Sequence, residues 1–431
     1  MDTIFAQATA RGKSGVAVIR LSGAAALAAG TRMAGSLPDP RKSGLRRLCD
    51  GDGRVLDHAL VLVFGHGHSF TGEDVVEFHV HGGIAVVNAV LACLAEMPGL
   101  RLAEPGEFTR RALENGCLDL TEVEGLGDLI EAETEAQRRQ AERVFAGALS
   151  GKADSWRDDL IHAMSLLEAT IDFADEDVPV DVMPDVRLRL ARTLEGLKRE
   201  SAGALVAERI RHGFEVAIVG APNVGKSTLL NRLAGRDAAI TSEVAGTTRD
   251  VIEVRMDLNG LPVTLLDTAG LRNTDDHVES LGIDLARKRA QSADLRVFLV
   301  EDSKDQIPAE IFATEDIIVH AKADISNNNN GLSVSGLTGL GVDELVRSIT
   351  QILENRVAGA ATATRLRHKT AIDQAIDHLT KAQDRIDQAT DLTELVSADI
   401  LHAIHGLDSL IGRVDVEDVL DRIFSQFCLG K

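Results

Sequence analysis

The sequence has no tyrosine, one tryptophan and nine prolines, which leaves little material for an aromatic-rich β-sandwich. Cysteine is also scarce. Cys49, Cys93, Cys117 and Cys428 stand far apart and form no CxxC pair, which argues against a disulfide scaffold or a cysteine-based zinc finger. A reducing, cytoplasmic setting is expected. No run approaches the roughly 18 apolar residues of a membrane span. The opening Met1-Asp-Thr-Ile-Phe5 lacks the basic and apolar regions of a secretory signal. Positive charge is short: 46 Lys and Arg face 67 Asp and Glu, a net charge of −21. That balance speaks against a generic nucleic-acid coat and leaves room only for a confined basic groove. What remains is globular, with 44% hydrophobic and 26% charged residues. At 431 residues, the length asks for about three domains.

Three patterns divide the chain. Up to Cys117 it reads as α+β: Gly15–Gly23 and Ala59–Phe64 are β-rich, and Asp74–His81 alternates before breaking at Gly82-Gly83. Ile84–Leu94 then reads as a helix. From Leu118 to 212 the chain is helical, and Trp156, Leu160, Met164, Leu167 and Ile171 share one face. The acidic run Asp172–Asp177 with Pro179 ends that helix, and Asp185–Ala207 supplies another. Between 213 and 357 strands and helices alternate, starting with the buried run Phe214–Val219, as in a parallel α/β domain. Residues 358–431 return to helical patterning. The α/β unit therefore reads as an insertion between two halves of one discontinuous helical domain.

The inserted unit carries the chemistry. Gly220-Ala-Pro-Asn-Val-Gly-Lys-Ser227 fits the phosphate-loop pattern GxxxxGK[ST], directly after a strand and before a helix. Its glycines let backbone N–H groups converge on phosphate oxygens, and the following helix adds its N-terminal dipole. Lys226 reaches the β/γ-phosphates and Ser227 holds Mg²⁺. Asp267, ending the apolar strand before Thr268, Ala269 and Gly270, orients the Mg²⁺ shell. Gly270 offers a backbone N–H near the γ-phosphate, and Thr248 a second Mg²⁺ hydroxyl. Three phosphate elements in order make a nucleoside-triphosphate hydrolase.

Base choice rests on Ile317–Asp324, where Lys322 and Asp324 match the guanine-reading Asn-Lys-x-Asp but Ala321 replaces its Asn. Asp324 accepts from guanine N1–H and the exocyclic amine, which adenine does not offer. The missing amide costs about 0.5–1.5 kcal/mol of affinity without inverting specificity. Ser335, Gly336 and Leu337 occupy the position of the last guanine-side loop. GTP is the expected nucleotide, with ATP as the competitor.

Gly220–Ser227, Gly246-Thr-Thr-Arg249, Asp267-Thr-Ala-Gly270 and the terminal Phe427-Cys-Leu-Gly-Lys431 together resemble the tRNA-modification GTPase family MnmE (TrmE). Asp2–Thr9, Phe70–Asp74, His81–Gly83 and Pro105–Thr109 resemble that family's N-terminal domain, so the resemblance spans the chain. It implies an N-terminal α+β domain (1–117) that binds a 5-formyltetrahydrofolate-type one-carbon donor and dimerises. It further implies a helical domain in two parts (118–212 and 358–431) and an inserted Ras-like G domain (213–357). The implied activity is potassium-stimulated GTP hydrolysis. With the flavoprotein partner MnmG (GidA), it serves modification of C5 of the wobble uridine in certain tRNAs. A homodimer in the cytoplasm, free of membrane, is implied.

Site residues follow from the same resemblance. Asn223, Val224, Gly225, Lys226, Ser227 and Thr228 cradle the nucleotide. Ser242, Glu243, Val244, Ala245, Gly246, Thr247 and Thr248 form the switch loop above it. Asn223 resembles the K⁺ ligand, and Ser242, Val244 and Thr247 resemble the loop completing its cage. Leu271 stands where many small GTPases carry a water-positioning Gln, and an apolar side chain cannot do that work. Glu279 aligns with the family's replacement. Arg20, Glu77 and the terminal Lys431 match folate-contacting positions. Cys117 stands where the family has Lys, which removes a cationic contact. Cys428 reads as a functional thiol near the folate rather than a lipidation site. His79 and His81, at i and i+2 on a strand, lack a third ligand and read as structural. A ribosome-assembly GTPase is the main rival, although no basic RNA-binding module is evident. A GTP-regulated folate-dependent one-carbon transferase is the other.

Overall fold

Side chains alternating on successive strands build the first sheet. The computed structural model describes residues 2–172, 181–236, 239–240, 253–267, 288–301, 310–325, 331–388, 393–414, 420, 423–424, 427 and 430. It divides into two units, Met1–Gly127 with Asp408–Lys431, and Asp128–Leu407. The first unit contains β1 (Thr3–Gln7), β2 (Ser14–Ser22), α1 (Ala26–Ala34), β3 (Gly44–Cys49), β4 (Val55–Phe64), β5 (Val75–Gly82), α2 (Ile84–Ala95), β6 (Leu100–Leu102) and α3 (Glu107–Glu114). Its sheet runs β3-β4-β5-β2-β1-β6 and is antiparallel except for the β1–β6 pair.

Ile19, Leu21, Val61, Val63, Val76, Phe78 and Val80 pack with Met33 of α1 and Val90 and Leu94 of α2. Arg20 and Glu77, directly paired across β2 and β5, occupy the alternate positions and so take the opposite face. A smaller cluster lies there: Ile4, Ala6, Ala103 and Phe108, with Phe70 against it. Strand β1 is buried on both faces, because Phe5 joins the larger cluster while Ile4 and Ala6 join the smaller.

Two helices begin in one unit and end in the other: α4 (Leu120–Glu131) and α11 (Thr393–Ile411). The second unit holds α5 (Glu135–Phe145), α6 (Ala148–Asp172) and α7 (Met183–His212). After these come β7 (Phe214–Gly220), α8 (Lys226–Ala234), β8 (Glu253–Leu258), β9 (Leu261–Asp267), β10 (Leu295–Val300), β11 (Ile317–His320), α9 (Val342–Val357) and α10 (Leu366–Asp387). Helix α7 runs five residues beyond the expected Ala207, because Ile210 is buried and Gly213 (φ +97°) supplies the stop. On α6, Trp156, Leu160 and Leu167 are buried as the stripe requires. Met164 is only half-buried; Ala163 takes the inner position.

Helix α10 packs along α7, with Ser201 donating to Asp373 at 2.5 Å, so segments on either side of the inserted sheet share one helical core. That sheet runs β11-β10-β7-β9-β8. All its pairs are parallel except β8–β9, a hairpin turned by Asn259-Gly260. Among the described residues no helix is long and apolar enough to cross a membrane.

Candidate functional site

The phosphate loop leaves β7 at Gly220, whose strand is buried between β9 and β10. The loop turns through Asn223 (φ +61°) and Gly225 (φ +110°), left-handed conformations that put successive N–H groups on its inner side. Val224, 1% exposed, anchors the loop in the core below. Lys226 opens α8 and is itself 5% exposed. Its ammonium donates to the Gly220 and Ala221 carbonyls at 2.6 and 2.8 Å, which folds the side chain back across the loop. Burial pushes its pKa down, and the Asp267 carboxylate opposes that shift. Among the described residues the ammonium donates to carbonyls alone, an arrangement that phosphate oxygens, which carry full negative charge, would improve.

Ser227 Oγ donates to Asp267 Oδ2 at 3.0 Å, joining the first turn of α8 to the end of β9. This hydroxyl–carboxylate pair is the donor set of a hard divalent cation, and it stands beside Lys226 at the carboxyl ends of the strands. Ser227 and Thr228 are exposed, as residues that meet a ligand must be.

The guanine side lies on the same sheet edge. Ala321 donates its N–H to the Val300 carbonyl at 2.8 Å and is 4% exposed. Lys322 (φ +57°) pairs with Glu301, and Asp324 is exposed. Ser335 is buried, its hydroxyl accepting from Thr338 N–H at 3.1 Å, whereas Leu337 is exposed. Gly336 lies directly on α8: a Cβ there would come within 2.7 Å of Leu229 N. The Ser335–Leu337 loop thus lies against the backbone of the first turn of α8, the helix that follows the phosphate loop.

The second candidate site is in the first unit. Arg20 Nε donates to Glu77 Oε1 at 2.8 Å, with both side chains half-buried. Two rings flank the guanidinium, Phe70 at 5.8 Å and Phe108 at 5.6 Å. Donor, acceptor and ring faces converge there, a combination that could hold a flat polar ligand. His79 Nε2 lies 3.4 Å from Glu77 Oε2, and His81 pairs with Asp57 at 2.8 Å. Neither His belongs to a metal cluster among the described residues. Cys117 is exposed, and its Sγ packs against Gly72.

Phe70 and Phe108 were not singled out from the sequence, although both sit in motifs that were. Arg111 was missed as well. It is 4% exposed and bonds Asp2, Glu73 and Glu107, while Glu73 accepts from Ser22 at 2.6 Å. Its partners Asp2 and Glu73 are distant in sequence, so its burial leaves no local pattern. Ser242, Glu243, Val244, Ala245, Gly246, Thr247, Thr248, Thr268, Ala269, Gly270, Glu279, Cys428 and Lys431 lie outside the described residues.

Comparison with known proteins completes the picture. A family model described as the MnmE helical domain matches residues 120–428, and one described as the GTP-binding protein TrmE N-terminus matches residues 3–117. The tRNA modification GTPase MnmE of Dinoroseobacter shibae is 58% identical over 432 residues, covering 100% of both chains. That of Cereibacter sphaeroides is 60% identical over 431 residues with the same coverage. Among solved structures, Era from Aquifex aeolicus bound to GDP and AlF4⁻ aligns with 38% of this chain and 66% of its own, at 26% identity and a TM-score of 0.26. Two consecutive family models and full-length identity leave one assignment: the chain belongs to the tRNA modification GTPase MnmE family.

Proposed function

We propose that this protein is a potassium-stimulated GTPase acting with the flavoprotein MnmG (GidA). Together they modify C5 of the wobble uridine of certain tRNAs, adding an aminomethyl or carboxymethylaminomethyl group. The one-carbon unit comes from 5-formyltetrahydrofolate or a related folate, and the protein works as a cytoplasmic homodimer. One observation carries the nucleotide half: Lys226, Ser227 and Asp267 converge at the end of β7 and β9, with the ammonium donating to the Gly220 and Ala221 carbonyls. Arg20 and Glu77, between Phe70 and Phe108, support the folate half.

In this reading Lys226 swings from the Gly220 and Ala221 carbonyls to the β/γ-phosphate oxygens. Ser227, Thr248 and Asp267 hold Mg²⁺, directly or through its water shell. Asn223, with Ser242, Val244 and Thr247, holds K⁺. When bound, the two cations neutralise charge developing on the phosphates. Glu279 orients the attacking water, while Lys322, Asp324 and the Ser335–Leu337 loop bind guanine. At the other site Arg20 and Glu77 fix the folate, Lys431 adds a cation, and Cys428 supplies a thiol. Cys117 contributes no charge there. Domain boundaries at 212/213 and 357/358 fit α7 ending at His212, β7 starting at Phe214 and α9 ending at Val357, and the one at 117/118 falls between α3, ending at Glu114, and α4, starting at Leu120.

Mass analysis of wobble nucleosides in tRNA from a strain lacking the protein tests this reading. Loss of the C5-modified uridines, restored by the wild-type gene and not by a Lys226→Ala copy, is the expected result. Unchanged wobble nucleosides with a ribosomal-subunit defect would establish the ribosome-assembly alternative instead.

A further inference from the structure

The turn between Ser335 and Leu340 is closed on itself. Ser335 N–H donates to the Leu340 carbonyl at 2.9 Å, and Gly339 N–H donates to the Ser335 carbonyl at 2.8 Å. Thr338 N–H donates to the Ser335 hydroxyl at 3.1 Å, and Ser335 is buried. Such bonds fix the shape of a turn but not its place. Its place is set by α8. Gly336 rests on the helix backbone, where a Cβ would come within 2.8 Å of Thr228 C. One turn further along α8, Arg232 Nη2 donates to the Thr338 carbonyl at 2.6 Å. The guanidinium also lies against Gly339 (φ +87°), where a Cβ would stand 2.6 Å from Nη2 and 3.0 Å from Nε. Leu337, between the two contacts, is exposed.

Leu229, Leu230 and Leu233 take the buried face of α8, and Arg232 stands on its exposed face. Its contact with the turn therefore adds little to the core. It matters for order instead: a loop that is not held must be ordered when a ligand arrives, and that ordering weakens binding. We infer that Arg232 is a positioning residue for the base, holding the Ser335–Leu340 turn against α8 and so raising selectivity for guanine over adenine, a role that rests on the assignment of this turn to guanine. The phosphates are held by the other end of α8 and by the loop before it, so they gain nothing directly from Arg232.

The test uses full-length Arg232→Ala, with Arg236→Ala as the control. Arg236 follows the same helix but pairs with Asp343 in the first turn of α9. GDP and ADP, each with Mg²⁺, are titrated as competitors of a fluorescent GDP analogue. Arg232→Ala should bind GDP about five-fold more weakly, because its turn is no longer pre-ordered. ADP, which gains nothing from a turn that reads guanine, should bind as it does to wild type, so the preference for GDP falls by the same factor. In hydrolysis, KM for GTP should rise while kcat stays within about two-fold of wild type, the pattern of lost binding rather than a lost transition-state contact. Arg236→Ala should match wild type throughout. Unchanged GDP affinity in Arg232→Ala overturns the role, and so does an equal loss in Arg236→Ala. Equal losses for GDP and ADP also overturn it, since Arg232 would then act on α8 and the phosphate loop as a whole. If wild type binds GDP and ADP alike, the assignment of the turn to guanine falls first, and the role of Arg232 falls with it.

Discussion

At the scale of single residues, Gly336 ties the loop proposed to read guanine to the helix that follows the phosphate loop. Ala321 has no amide to reach the phosphate loop, yet Gly336 touches the first turn of α8 directly. Gly336→Ala should therefore weaken nucleotide binding by about ten-fold or more, because the new Cβ meets Leu229 N and Thr228 C rather than a yielding side chain. Titration with a fluorescent GDP analogue checks this, and an affinity within two-fold of wild type would show that the contact carries no load. Glu279→Ala should behave in the opposite way. A group that orients the attacking water acts in the transition state, so turnover should fall about 10²–10⁴-fold. Nucleotide affinity should barely change. Single-turnover hydrolysis beside the same titration separates the two, and near-normal turnover would assign the water to another group. The phosphate motif was legible because its spacing is dictated by the phosphates themselves. Gly336 as a brace was not, since a close approach between Gly336 and Leu229, distant in sequence, leaves no local pattern.

Among the elements, α7 organises the second unit, and Glu200 on it is the clamp. Its Oε1 accepts from Thr362 N–H, from Thr362 Oγ1 at 2.5 Å and from Ala363 N–H at 2.8 Å, while Oε2 accepts from Lys152 at 2.6 Å. The stretch between α9 and α10 is thereby fixed to α7. Burial pushes the Glu200 carboxyl up, but Lys152, Thr362 and Ala363 outweigh it and hold the pKa below the ordinary value. The stabilisation is then complete above about pH 4.5 and fades as pH falls through the lowered value. Glu200→Ala should cost about 2–4 kcal/mol at pH 7, since two buried N–H groups lose their acceptor while half-exposed Lys152 regains water. The deficit should shrink in acid; a denaturant titration showing the same loss at pH 7 and pH 3.5 would refute the charged clamp. Elements of this unit were readable wherever a face was amphipathic, as on α6, or a strand was uniformly apolar, as β7 is. Strand β1 escaped because Ile4, Phe5 and Ala6 are buried on both faces over only five residues, and β6 because it has three. The last turn of α7 escaped because Glu208, Arg209, Arg211 and His212 give no apolar period.

For the whole molecule, the two candidate sites fall in different units: Arg20 and Glu77 in Met1–Gly127 with Asp408–Lys431, and Lys226, Ser227 and Asp267 in Asp128–Leu407. A ligand stabilises the unit that binds it by RT ln(1 + [L]/Kd), about 2.7 kcal/mol at a hundred-fold excess over Kd. A chain of two units need not unfold in one step, so each ligand should raise its own transition. In differential scanning calorimetry, GDP with Mg²⁺ should move one transition by about 5–10 °C, and 5-formyltetrahydrofolate should move the other by a similar amount. Lys226→Ala should abolish the first shift and spare the second; Arg20→Ala should do the reverse. The pairing of variant with ligand matters more than the size of either shift, because it reports where each ligand binds without reference to turnover. If GDP raised both transitions equally, the units would unfold as one, and nucleotide binding would already be felt at Arg20. If the folate shifted the transition that Lys226→Ala desensitises to GDP, the folate would belong to the nucleotide-binding unit, and its assignment to the pair flanked by Phe70 and Phe108 would fail.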